Sequence, residues 1–172
     1  MRHIRLILVL VGSIVTLLPA RAQDKKPLVT RDRVQLNLAG AETLVEAAKK
    51  KAAAMSLKCN IAVVDDGGHL LAFVRMDGAR PASVATALSK AVSAATFRQA
   101  TGAMPAKGEP DLLLSLSLQT ASGGKITSLK GGAPIVVEGQ VIGAVGIGGG
   151  TGEQDVEVAN AGVQALLDEL KK

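Results

Sequence analysis

Aromatic side chains are almost missing from this chain. Its 172 residues include no tryptophan, no tyrosine and two phenylalanines, Phe73 and Phe97. Proteins that hold single-stranded nucleic acid stack bases on aromatic rings, so this class has no platform here. Carbohydrate sites built on aromatic shelves are missing for the same reason. Cysteine is nearly absent too: Cys59 stands alone. A single cysteine excludes an internal disulfide, so stability must come from core packing or from association. Histidine is scarce, with His3 and His69 the two copies. If the N-terminus is removed, His69 alone remains, which excludes metal centres built from two or more imidazoles. No Gly-x-Ser-x-Gly elbow occurs anywhere, so there is no sign of an esterase-type nucleophile.

The N-terminus reads as an export signal. Arg2 and Arg5 form a positive head, Leu6 to Leu18 is an apolar stretch, and Ala20-Arg21-Ala22 is a small-x-small cleavage site. The apolar stretch is 13 residues long, short of the ~20 that a membrane-spanning helix needs. No stable membrane anchor is therefore expected, and the mature protein is predicted to be periplasmic or secreted. Residues 1–22 are assigned to the signal peptide, 23–35 to a polar tail and 36–172 to one domain. Cleavage removes three arginines and no acids. The net charge falls from +5 to +2, so the basic balance belongs partly to the leader. No nucleic-acid partner is called for. A mature chain of about 150 residues is enough for one domain with a real core.

Glycine is abundant, and it gathers late in the chain. Residues 131–162 read GGAPIVVEGQVIGAVGIGGGTGEQDVEVANAG. Two apolar, β-branched runs flank Glu138-Gly139, which predicts a β-hairpin. The second run carries Gly143, Gly146 and Gly148, so a second backbone or a ligand can come close. Gly148-Gly149-Gly150 then leads to Thr151 and Gln154, the spacing of a capping box, which predicts a helix start. The glycine spacing does not match a dinucleotide loop, and no Lys-Ser/Thr follows as in a P-loop. Glu153, Asp155 and Glu157 in the first turns would repel a phosphate. A glycine-lined strand packed tightly on a helix is the simpler expectation.

Periodicity fills in the rest. Asn37 caps a helix whose inward face is Ala41, Leu44, Val45, Ala48, Ala52 and Met55. Lys49-Lys50-Lys51 lies on its solvated side. Cys59 to Asp65 and His69 to Arg75 read as two strands joined by a turn at Asp66-Gly67-Gly68. Cys59 is expected to be a buried thiol. Pro81 opens a helix with Val84, Leu88, Ala91, Val92 and Ala95 facing inward. Residues 102–111 are a loop, and 112–118 fit either a strand or a short helix. The order is α-β-β-α-(short)-β-β-α: an α/β (α+β) domain with a mostly antiparallel sheet flanked by helices.

Three segments together carry a family resemblance: VVDDGGHLLAFVRMDGA (63–79), SKAVSAATFRQAT (89–101) and the glycine-rich 131–162 stretch. They resemble the haem-binding, glycolate-operon-associated GlcG/HbpS-like family, whose domain also ends some corrinoid adenosyltransferases. The resemblance runs from about Leu36 to Leu170. It implies a compact domain, higher homo-oligomers and, in some members, a haem or related tetrapyrrole. Two departures stand out. The glycine loop reads Gly-Ile-Gly-Gly-Gly where many members carry serine. The first helix has no histidine, which some members use for haem.

A haem site requires an apolar slot, an axial donor and cations for two propionates. His69, just after a glycine turn, is the candidate axial metal ligand; the alternative is a surface histidine. Met76, Met104 and Cys59 are weaker donors. Arg75 and Arg98 are the chosen cations, with Arg80 and Lys90 also available. Met76 has core packing as its alternative role, and Arg75 could instead pair with Asp77. Gly148 and Gly149 are the glycines that allow a ligand to approach. Asp65 and Asp66 before Gly-Gly suit a turn. The expected function is an exported haem- or tetrapyrrole-binding module without catalysis, forming a homo-oligomer larger than a dimer. Two alternatives stay open: a haem-degrading or small-molecule-metabolising enzyme using Asp65, Asp77 and His69, and a self-assembling scaffold.

Overall fold

The computed structural model describes residues 30–172 apart from Asp32 and Ala106. The predicted export segment, and most of the predicted tail, lie outside the described residues. Eight elements follow one another: α1 (Leu38–Ala54), β1 (Asn60–Asp65), β2 (Leu70–Arg75), α2 (Ser83–Phe97), α3 (Leu112–Ala121), β3 (Gly132–Val137), β4 (Gln140–Gly148) and α4 (Gly152–Glu169). The strands form one sheet in the order β2-β1-β4-β3, and every neighbouring pair is antiparallel. This is the expected α/β class and the expected order. The ambiguous segment after the loop is a helix, with the Asp111 side chain accepting from the Leu114 N–H as its cap.

The sheet has two covered faces. On one, α1 and α4 enclose the main core around Leu44, Ile61, Val63, Ile135, Val145, Ile147 and Val158, all fully buried or nearly so. Cys59 belongs to this core, as expected. On the other face, Ala62, Val64 and Ala144 meet Ala87, Ala91, Ala94 and Ala95 of α2. The α1 reading holds: Asn37 Oδ1 accepts from Gly40 N at 2.8 Å, and Ala41, Leu44, Val45, Ala48 and Ala52 are buried. Met55 stands at the C-cap. The β3–β4 hairpin turns on Glu138 and Gly139, with φ of 51° and 72°, as a two-residue turn of primed type requires.

The inward face of α2 differs from the expectation. The buried positions are Ser83, Ala87, Lys90, Ala91, Ser93, Ala94 and Ala95, while Leu88 is exposed. The glycines of the sheet explain the rotation. A Cβ on Gly146 would overlap the Ala87 carbonyl and the Ala91 amide. A Cβ on Gly148 would come within 2.6 Å of the Ser83 carbonyl, and one on Gly132 within 2.5 Å of that of Lys90. The helix therefore sits at backbone contact, met mostly by alanine- and serine-sized neighbours, with Lys90 the long side chain among them. Larger residues such as Leu88 are turned to the outer edge.

Candidate functional site

Three surface depressions take up His69, Arg75, Met76 and Gly149, while Arg98 and Gly148 line none of them. The first, a cleft of about 390 Å³, lies between the β1–β2 turn, the outer side of α2 and the segment after α3. Leu70, Ala85, Leu88 and Val92 form its apolar wall; Gly67, Gly68, His69, Ser89 and Lys125 give it polar points. Its size falls in the ~300–1,000 Å³ range of small-molecule sites. Leu88, displaced from the core by the glycine contact, and Leu70, at 53% exposure, supply apolar surface that nothing covers among the described residues.

His69 is held at the rim by the turn that precedes it. Asp65 Oδ1 accepts from Gly67 N at 2.9 Å and from His69 N at 2.8 Å, so the aspartate forms the turn, as expected of it. The backbone closes the same turn through Asp65 N to His69 O and Gly68 N to Asp65 O. The other carboxylate oxygen, Oδ2, lies 3.2 Å from His69 Nδ1. Burial on its own would raise the Asp65 carboxyl, but the His69 amide, the His69 ring and the Gly67 amide outweigh it and hold the group below its usual range. The His69 side chain is 84% exposed, with Nε2 on the edge of the ring away from the carboxylate. Gly67 makes room for the ring: a Cβ there would stand 2.9 Å from Cε1 and 3.0 Å from Nδ1.

Arg75 and Met76 lie elsewhere. They line a second groove, about 650 Å³, with Lys49, Leu57, Lys58 and Asp77. The register explains the separation. Leu70 pairs near Val64 and Arg75 opposite Asn60, so His69 and Arg75 bracket the two ends of β2. Asp77 is separated from Asp65 and His69 in the same way, so the three do not form one catalytic group. No Arg75–Asp77 ion pair forms either. The strand stops at Arg75, and Ala79 N bonds to Met76 O in a turn, which ends the two-residue alternation that would have aligned them.

Arg98 caps the C-terminus of α2 in a left-handed conformation, φ 58°, and is exposed outside the first cleft. Gly148 packs against α2, and Gly149 would meet the Lys58 carbonyl within 2.6 Å if it bore a Cβ. Both glycines are thus accounted for by close backbone packing. The capping box at α4 forms as expected, Thr151 Oγ1 accepting from Gln154 N and Gln154 Oε1 from Thr151 N.

Gly149 also borders a third, smaller hollow of about 190 Å³ with Arg80, Ser83, Thr86, Lys90, Lys130 and Asp155. Lys90 is not available there as a free cation. It is buried, and its ammonium donates to Asp155 Oδ2 at 2.6 Å and to the Ile147 carbonyl at 2.8 Å. Asp155 Oδ1 accepts from Gly150 N at 2.9 Å. This pair ties α2, β4 and the start of α4 together.

The sequence reading missed two residues that matter to the cleft, Leu88 and Lys125. Leu88 was placed in the core by helical period. Lys125 sits in a segment with no periodic signal. No cluster of three or more His, Cys, Asp or Glu capable of holding a metal ion occurs among the described residues. No helix among them is long and apolar enough to cross a membrane.

The fold defines a class: small α/β domains built on one antiparallel four-stranded sheet with helices on both faces. Within that class the chain belongs to the HbpS-like family, whose description is haem degrading protein HbpS-like and whose model matches residues 36–164. Protein GlcG of Escherichia coli (strain K12) is 38% identical over 117 residues, covering 68% of this chain and 84% of GlcG. The crystal structure of Klebsiella pneumoniae protein ORFY superimposes with a TM-score of 0.71 at 32% identity, over 83% of this chain and 98% of that one. A crystal structure of a PduOC:haem complex gives 0.66 at 27% identity, over 77% and 95%.

Proposed function

We propose that this chain is an exported haem- or tetrapyrrole-binding protein and that the cleft beside the β1–β2 turn holds the macrocycle. The observation that carries the reading is the Asp65–His69 pair at the rim of an apolar cleft. The donor set suits haem. A neutral imidazole whose Nδ1 is engaged presents Nε2 to iron, the usual arrangement for a ligating histidine. Leu70, Leu88 and Val92 would contact the apolar ring, and Lys125 would face a propionate. Bound haem would supply redox-active iron. Membership in the family, and the haem complex of a solved neighbour, support the same ligand.

The reading includes export to the periplasm or beyond and assembly into a homo-oligomer larger than a dimer, and it assigns no catalysis. Hemin titration followed in the Soret region tests the site. His69→Ala is expected to shift the band and to weaken binding tenfold to a hundredfold, about 1.4 to 2.7 kcal/mol. An unchanged spectrum and affinity would remove His69 as the ligand. The family's description favours one second reading, haem degradation. Adding reductant and oxygen to the hemin-loaded protein and analysing the pigment separates the two: intact haem supports binding alone, and ring-opened product supports the enzyme.

A further inference from the structure

The Asp65 carboxylate does more than close a turn. Its two oxygens have separate tasks: Oδ1 takes the Gly67 and His69 backbone amides, while Oδ2 faces His69 Nδ1 at 3.2 Å. An ionised carboxylate has acceptors and no donor. In a neutral imidazole the ring nitrogen facing it carries the proton, which leaves Nε2 as the lone-pair nitrogen. The turn keeps the two residues side by side, with Asp65 N donating to His69 O, and the ring is oriented by its contact with Oδ2. Gly67 leaves the space that the ring occupies.

We propose that Asp65 is the positioning residue of the haem site: it fixes His69 as the Nδ1–H tautomer, with Nε2 ready for iron, and through that hydrogen bond gives the ring anionic character that favours ferric over ferrous haem. The inference rests on the haem reading above. A carboxylate partner raises the basicity of a ligating imidazole, and a more basic axial ligand stabilises the higher oxidation state.

Asp65→Asn is the discriminating variant. Its side-chain oxygen still accepts from Gly67 and His69, so the turn persists. Its amide then stands where Oδ2 was and donates to Nδ1, which forces the proton onto Nε2. Nitrogen-15 NMR of the ligand-free protein reads the tautomer directly, with His69→Ala giving the assignment. The Nδ1–H form is expected in the native chain and the Nε2–H form in Asp65→Asn. Hemin affinity should fall tenfold to a hundredfold, and the hemin that still binds should have a less negative midpoint potential. Gly67→Ala provides a second variant that keeps every charge. Its added carbon displaces the ring, so a similar loss of affinity is expected. If hemin binding depends on His69 yet Asp65→Asn keeps the tautomer, affinity and potential of the native protein, the inference fails while the haem reading stands. If His69→Ala leaves the hemin spectrum unchanged, the haem reading fails and takes the inference with it.

Discussion

Cys59 shows how burial at a single residue decides chemistry. It lies in the main core with no exposed surface. Burial first, and the Asp155 carboxylate second, raise its thiol from an ordinary value of 9.0 to about 11, with Lys90 opposing. Two pK units mean roughly a hundredfold less thiolate, the nucleophilic form, at any pH below both values. Native protein at pH 8 is therefore expected to resist iodoacetamide for hours and to react only after denaturant is added. Labelling within minutes without denaturant would contradict the buried thiol. The single cysteine in an apolar run made this residue legible in advance. Asp65 was legible in part. Two aspartates before Gly-Gly announce a turn, but a carboxylate with one oxygen on the backbone and the other on a ring four residues later is a matter of three-dimensional geometry. Lys125 gave no signal of a site because Gly123-Gly124 before it mark only a turn.

At the level of elements, helix periodicity found α2 and part of its face. Ala91 and Ala95 are buried and Val92 packs against the same cluster, but Leu88 is exposed, and Ala87, Lys90 and Ala94 complete the face turned to a glycine-bearing sheet. Sequence alone records glycines in β4 and small residues in α2 without saying that one set receives the other. That contact buries the small residues of α2 and the glycines of β4 against each other. Lys90 enters the interior on this face because β4 offers a carbonyl and α4 a carboxylate. Removing one partner of such a pair strands the other charge, at about 3–5 kcal/mol. Lys90→Met is accordingly expected to lose about that much in urea unfolding. Lys90→Met with Asp155→Asn should be less destabilised than Lys90→Met alone, since the asparagine is uncharged and keeps an oxygen for the Gly150 amide. Additive losses from the two changes would show that the pair is not coupled.

For the whole molecule, the described domain closes its sheet on both faces yet leaves one helix unused. No residue of α3 is buried, and Leu112 and Leu113 are 73% and 74% exposed, with Leu116 at 51%. No charge interrupts the helix, Leu112 to Ala121. Its leucines at 112, 113, 114, 116 and 118 lie on more than one side of the helix, between Ser115, Ser117, Gln119 and Thr120, and exposed apolar patches of this kind mark association surfaces. One two-fold contact covers one side of such a helix; covering the others takes further neighbours, which is why an assembly larger than a dimer is expected. Native mass spectrometry of protein recovered from its producing cells measures this together with export. The subunit mass should correspond to a chain beginning at Gln23, and the intact complex to three or more such subunits. A retained Met1 would overturn the leader assignment. A monomer at micromolar concentration would overturn the assembly and leave the α3 leucines to be covered by something other than a second copy. Leu113→Glu should then separate the two properties: a charge in the middle of the leucine cluster is expected to break the assembly into smaller species while the processed mass of each subunit, apart from the substitution, stays the same.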